Sequence, residues 1–300
     1  MTETAPLRVS AGDGHRWGLL ASVPEAPRTA LLWLPALGIG ARHYLPFAKA
    51  LAARGVATHL HEWRGAGSSS LRAGRHCDWG WRELLESDIP ASLAALRERH
   101  PDLPVVIGGH SLGGQLACCT AGLAPDDIAR LWLVGSGAPW WKAFPHPHRF
   151  ALPLAYRFLP WLADRCGALP GRRIGFGGRE ARGLMRDWSR VALTGTYAAR
   201  GLGQDLEAAM ARVRVPVTGV VLAEDWFAPE SSLRYLLSKL PDAPARIETI
   251  GTPALGTRAD HFAWMKHPEA VATTLAGARH PLSYSGGGKA SYAARTTSGP

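Results

Sequence analysis

Leu103-Pro104-Val105-Val106-Ile107-Gly108-Gly109-His110-Ser111-Leu112-Gly113-Gly114-Gln115-Leu116-Ala117 is the stretch whose reading decides the fold. Residues 105–107 form a short apolar run of the kind that fills a strand buried on both faces. Leu112 opens an apolar pattern that suits a helix over 112–121. Between them Gly109-His110-Ser111-Leu112-Gly113 satisfies G-x-S-x-G. A serine on so sharp a strand-to-helix turn projects its hydroxyl into a cleft, and the flanking glycines leave room where strand and helix crowd together. The N-terminus of the following helix also directs N–H groups toward developing negative charge. With 34 glycines in 300 residues the pentapeptide alone decides little, so its position between strand and helix carries the weight.

Outward from this turn, strands and helices alternate. Strands are expected at 7–11, Arg16–Val23, Thr29–Leu34, 56–62, 128–134, 215–223 and 246–250, and helices at 44–54, 81–99 and 268–278. Such alternation predicts a mostly parallel sheet covered by helices on both faces. Ligands on such sheets bind beyond the carboxyl ends of the strands, so residues just after strands matter most. Between 137 and 205 the rhythm breaks into a tract rich in Trp, Phe and Pro, read as a helical lid inserted before the strand at 215–223. Residues 1–136 and 206–280 then form the core. The glycine-rich 281–300 segment reads as a disordered tail. Its Gly-Gly-Gly-Lys-Ala-Ser lacks the spacing, and the Ser or Thr after Lys289, of a phosphate loop.

The elbow and its setting resemble the α/β-hydrolase superfamily, from about Leu31 to the closing helix. The resemblance implies an α/β-hydrolase fold and a triad in the chain order serine, acid, histidine. Asp225, in Ala223-Glu224-Asp225-Trp226-Phe227-Ala228-Pro229, resembles the acid position, a strand-end Asp with Pro four residues on; Glu224 lies one residue away. His261, in Arg258-Ala259-Asp260-His261-Phe262, resembles the histidine loop, and the adjacent Asp260 is a poor orienting partner because sequence neighbours point apart. A serine hydroxyl needs a neighbouring base, and the imidazole needs a carboxylate to fix its tautomer.

In the superfamily two backbone N–H groups stabilise the oxyanion. One follows the nucleophile, here Leu112. The other lies in the loop after the third strand, here Pro35-Ala36-Leu37-Gly38, where many relatives carry His-Gly. Pro35 has no N–H, which makes Leu37 the better donor by position and Ala36 the alternative. Glu62-Trp63-Arg64-Gly65-Ala66-Gly67 resembles the D-x-R-G-x-G loop of the superfamily with Glu62 in place of Asp, and it is assigned a structural part. The Pro-Ala-Leu-Gly and Asp-Trp-Phe-Ala-Pro segments resemble a bacterial branch that implies no particular substrate.

The resemblance implies hydrolysis of a carboxylic ester or thioester through an acyl-enzyme on Ser111. An acyltransferase using the same triad, or a catalytically silent relative that binds an anionic partner, are the alternatives. Serine at the elbow argues against dehalogenase and common epoxide-hydrolase chemistry, which use aspartate there. No cofactor is expected, and no HExxH or comparable ligand set suggests a metal.

The charge is +10, and +7 of it falls in 137–205, where Lys142 and ten arginines face four acids. One reading gives these arginines the anionic end of an amphipathic acyl substrate; the other leaves them on a solvated outer face. No zinc-finger, helix-turn-helix or RNA-binding aromatic motif accompanies the charge, so no nucleic-acid partner is expected. Cys77, Cys118, Cys119 and Cys166 form no CxxC pair and read as small apolar filler in a reduced compartment. Neither a signal peptide nor a membrane-spanning run is evident, which predicts a cytoplasmic protein of undetermined oligomeric state.

Overall fold

In the computed structural model, residues 2–3 and 6–277 are described. Among the described residues eleven strands are formed: β1 Thr2–Glu3, β2 Leu7–Ser10, β3 Arg16–Val23, β4 Thr29–Leu34, β5 Val56–Leu60, β6 Val105–His110, β7 Arg130–Val134, β8 Leu169–Pro170, β9 Arg179–Glu180, β10 Val217–Leu222 and β11 Ala245–Ile250. Helices of eight or more residues are α1 Leu45–Ala52, α2 Ile89–Arg99, α3 Leu112–Leu123, α4 Leu152–Cys166, α5 Arg182–Thr194, α6 Glu230–Leu237 and α7 Glu269–Ala276.

Nine strands make one sheet in the order β1-β3-β5-β4-β6-β7-β10-β11, with β2 paired to β3. The pairs from β5 through β11 are parallel, and the β1, β2 and β3 pairings are antiparallel. This is the mostly parallel sheet that the alternating pattern predicts, in the α/β-hydrolase fold that the family resemblance implies.

The period of two along each strand sorts the core into two layers. Leu32, Leu34, Val105, Ile107, Leu131 and Leu133 face the layer with α2, α3 and α6. Leu31, Trp33, Val106, Trp132 and Val134 face the layer with α1 and α7. Parallel strands buried on both faces read as unbroken apolar runs, which is why β6 and β10 are so plain in the sequence.

The single helix expected at 81–99 is interrupted. Trp81–Glu83 and α2 are joined by a widened turn over Leu84–Asp88, in which Ile89 N–H bonds to Leu84 O five residues back. Pro90 lacks an N–H and cannot close an ordinary turn here, so the ladder loosens just before it.

Between β7 and β10 the chain leaves the sheet. It builds α4, the β8–β9 ribbon around a short helix Gly171–Ile174, and α5. Of the four cysteines, Cys118 and Cys119 are buried as expected, whereas Cys166 is exposed at the end of α4. Among the described residues no helix is long and apolar enough to cross a membrane. The expected tail at 281–300 lies outside the described residues.

Candidate active site

The turn after β6 is made by a residue that would ordinarily avoid its backbone conformation. Ser111 has φ 56° and ψ −120°, and among the described residues it is the only non-glycine with positive φ. Such dihedrals cost of order 1–3 kcal/mol and persist only where the surroundings enforce them. The enforcement is visible. A Cβ on Gly109 would lie 2.2 Å from Gly113 C, and one on Gly113 would lie 2.0 Å from Leu34 O. Strand β6, helix α3 and the end of β4 therefore meet backbone to backbone.

Asp225 follows β10, and His261 follows β11 after the short helix Thr252–Leu255. Asp225 Oδ1 accepts the N–H groups of Phe227 (2.9 Å) and Ala228 (3.2 Å). Its Oδ2 lies 2.7 Å from His261 Nδ1, with both residues buried. A carboxylate only accepts, so Nδ1 carries the proton and Nε2 presents its lone pair. The neighbouring acids are occupied elsewhere: Glu224, the alternative by position, pairs with Thr252 and Arg258, and Asp260 caps the N–H groups of Phe262 and Ala263.

Ser111 and His261 line one cavity of about 370 Å³. Among the described residues no hydrogen bond reaches the Ser111 hydroxyl, so the serine and the Asp225–His261 pair share a wall without being linked. Contacts of this kind often tighten only when substrate is bound.

The loop Pro35-Ala36-Leu37-Gly38 forms the facing side. The N–H of Ala36 donates to Tyr44 Oη at 2.9 Å and is thereby used up. No acceptor among the described residues takes the N–H of Leu37 or of Leu112, and both residues line the cavity beside Ser111. Leu112 is the first residue of α3, where helix geometry leaves N–H groups without partners.

The Glu62–Gly67 segment, given a structural part in the sequence, braces this loop, and Tyr44 and His110, which no motif marks for that role, join it. Trp63 Nε1 donates to Pro35 O at 2.9 Å, and Glu62 accepts from Ala41 N. Arg64 is clamped by both oxygens of buried Asp88, at 2.7 and 2.8 Å, and by Asp13 at 2.6 Å. Tyr44 Oη also lies 2.9 Å from His110 Nδ1. His110 packs 4.5 Å, centroid to centroid, from His261. Burial first, and the neighbouring His261 second, hold the His110 pKa well below the usual imidazole range. A neutral His110 does not repel charge that forms on His261.

The rest of the cavity is apolar, with Phe144, Leu152, Leu159, Phe176, Trp188 and Phe227 on its wall. None of the eleven basic residues of 137–205 lines it. Two polar side chains that the sequence did not single out do: Gln115, one turn along α3 from Ser111, and Tyr156 on α4. Among the described residues no group of three or more His, Cys, Asp or Glu is arranged to hold a metal ion.

This geometry can be set beside known proteins. The chain is 29% identical over 195 residues to a pimeloyl-[acyl-carrier protein] methyl ester esterase of Aromatoleum aromaticum, covering 58% of this chain and 74% of that one. Over 79 residues it is 38% identical to lipase LipV of Mycobacterium tuberculosis, which is 26% of this chain and 30% of that lipase. Among solved structures, a lipase in its open form superposes with a TM-score of 0.62 at 18% identity, covering 91% and 97% of the two chains, a likeness of fold. Residues 25–251 match the family model described as serine aminopeptidase, S33, and the chain belongs to that family of α/β-hydrolases.

Proposed function

We propose that this hydrolase cleaves a carboxylic ester or thioester through an acyl-enzyme on Ser111. Ser111 Oγ attacks the acyl carbonyl while His261 Nε2 takes the hydroxyl proton. Asp225 holds the imidazole in the required tautomer and stabilises the imidazolium. The N–H groups of Leu37 and Leu112 bind the oxyanion. The proton then passes from His261 to the leaving alkoxide or thiolate, and water repeats the sequence to free the acid.

The observation that supports this reading most is the conjunction of a strained Ser111 with a 2.7 Å Asp225–His261 bond on one cavity. The relatives named esterase and lipase support the ester class.

Residues 137–205 act as the lid over this cavity. An apolar substrate body suits the wall, whose mouth is open: Phe158, Ile174, Trp226 and Phe262 line it and are 41–65% exposed. An anionic end meets arginine only outside this cavity, where the exposed Arg172 and Arg173 immediately precede Ile174 in the short helix Gly171–Ile174.

The test is partitioning. An acyl-enzyme forgets its leaving group, so methanol added to reactions of an aryl ester, an ethyl ester and a thioester of one acid must give one common ratio of methyl ester to free acid. Ratios that vary with the leaving group contradict the intermediate. A ratio dominated by transfer even at low acceptor concentration supports the acyltransferase alternative.

A further inference from the structure

The acyl cavity holds two polar groups that the proposed mechanism leaves idle. Gln115 is 4% exposed, lines the cavity, and its Oε1 is buried without a hydrogen-bond partner. Among the described residues nothing bonds its amide nitrogen either. Its position is fixed, because its backbone N–H bonds to Ser111 O at 3.3 Å and places it one helical turn from the nucleophile. Tyr156, 5% exposed, packs edge-on against Trp188 with ring centroids 5.2 Å apart. Its hydroxyl bonds to no described residue, and burial pushes its pKa above the usual phenol range, so it remains a neutral donor and acceptor.

Buried polar groups are almost always paired, and leaving one unpaired is costly. A plain alkyl chain drawn into this cavity would cover the Gln115 amide and pair nothing. Water can pair the amide in the open cavity, but an acyl chain that fills the cavity displaces it, and the partner must then come with the substrate. Its chemistry is constrained by the wall: no Lys, Arg, Asp or Glu lines the cavity, so a carboxylate or ammonium group would be buried without a counter-charge. A ketone only accepts and would leave Gln115 Oε1 bare.

We infer that the substrate's acyl part carries a neutral group that both donates and accepts hydrogen bonds, a hydroxyl or a secondary amide, bound by Gln115 and Tyr156. This rests on the acyl-enzyme reading at Ser111. One helical turn rises roughly 6 Å over four residues, so the group sits within the first few atoms beyond the acyl carbonyl.

Three 4-nitrophenyl esters of matched length test it: hexanoyl, 3-hydroxyhexanoyl and N-acetyl-β-alanyl. The wild type is expected to favour at least one polar acyl group by about tenfold or more in kcat/KM, the discrimination that sites built to pair a polar group achieve readily. Gln115→Met, which keeps the unbranched shape, is expected to lower the rate on the polar ester about tenfold and leave or raise that on hexanoyl. Tyr156→Phe, on a different element, is expected to shift the same ratio in the same direction. Equal wild-type rates on polar and plain chains overturn the inference, as does a ratio that neither variant moves. Fluorophosphonate labelling of Ser111, measured alongside, separates the levels. A labelled wild type without polar preference removes this inference alone. An unlabelled wild type removes the acyl-enzyme reading and this inference with it.

Discussion

Asp225 illustrates how single atoms are committed. Two backbone N–H groups occupy Oδ1, leaving Oδ2 for His261 and fixing which ring nitrogen is protonated. Asp225→Asn keeps the shape but offers an N–H to the ring, which favours the opposite tautomer and hands Ser111 a nitrogen already protonated. We expect kcat to fall by about 10³–10⁴-fold with little change in stability; a loss under tenfold in steady-state kinetics contradicts the assigned part. The three triad candidates were legible because each follows a strand in the order the family resemblance supplies. Tyr44 was not, because its partners Ala36 and His110 become neighbours only when the turn before α1 packs across β4 and β6. Gln115 was within reach, since a helix over 112–121 puts it on the same face as Ser111 at i+4. What the sequence could not reveal is that nothing in the protein pairs with it.

At the scale of elements, the strand–elbow–helix unit works because three backbones touch. Gly113 has no room for a methyl group: its Cβ would fall 2.0 Å from Leu34 O and 2.6 Å from Pro35 O, and backbone carbonyls cannot swing aside as a flexible side chain can. Gly113→Ala is expected to cost about 3 kcal/mol or more by thermal or denaturant unfolding. It should also slow fluorophosphonate labelling, because relief of the clash moves the segment that carries Leu37. A melting temperature within 2 °C of wild type contradicts the close approach. The glycine was readable from the motif, but the atoms it makes room for were not, since they belong to another strand some eighty residues earlier. Likewise the helical period over 81–99 was plain in sequence, while the loosened turn before Pro90 emerges only when hydrogen bonds are followed one by one.

At the scale of the whole molecule, a buried carboxylate braces the turn of the inserted segment that lies against the core. Glu180, on β9, accepts the N–H of Gly178 at 2.6 Å, and Gly178 lies against Gly38 in the loop that carries Leu37. Burial raises the Glu180 pKa to about 6, although Gly178 N–H and the charge of Arg172 act the other way. A raised carboxyl pKa means the unfolded chain releases its proton first as pH rises from 4.5 to 6. Stability is lost over that window and the loss is complete above it. The shift corresponds to about 2 kcal/mol. Glu180→Gln keeps an acceptor for Gly178 and removes the charge, so its stability relative to wild type should improve by about 2 kcal/mol between pH 4 and pH 8. Equal differences at the two pH values, read by denaturant unfolding, contradict this. The sequence showed a basic, aromatic insertion but not which way its side chains turn. The structure brings Phe144, Tyr156, Phe158, Phe176 and Trp188 to the cavity, leaves Phe150 and Trp161 exposed away from it, and puts no arginine on its wall.

The most direct test of the whole account is labelling with a fluorophosphonate followed by mass analysis of the peptides. A single phosphonylated residue, Ser111, is expected, with labelling abolished in Ser111→Ala and slowed by orders of magnitude when His261 is replaced by Ala. Labelling that persists in Ser111→Ala, or a folded wild type whose Ser111 stays unmodified at millimolar probe, contradicts it.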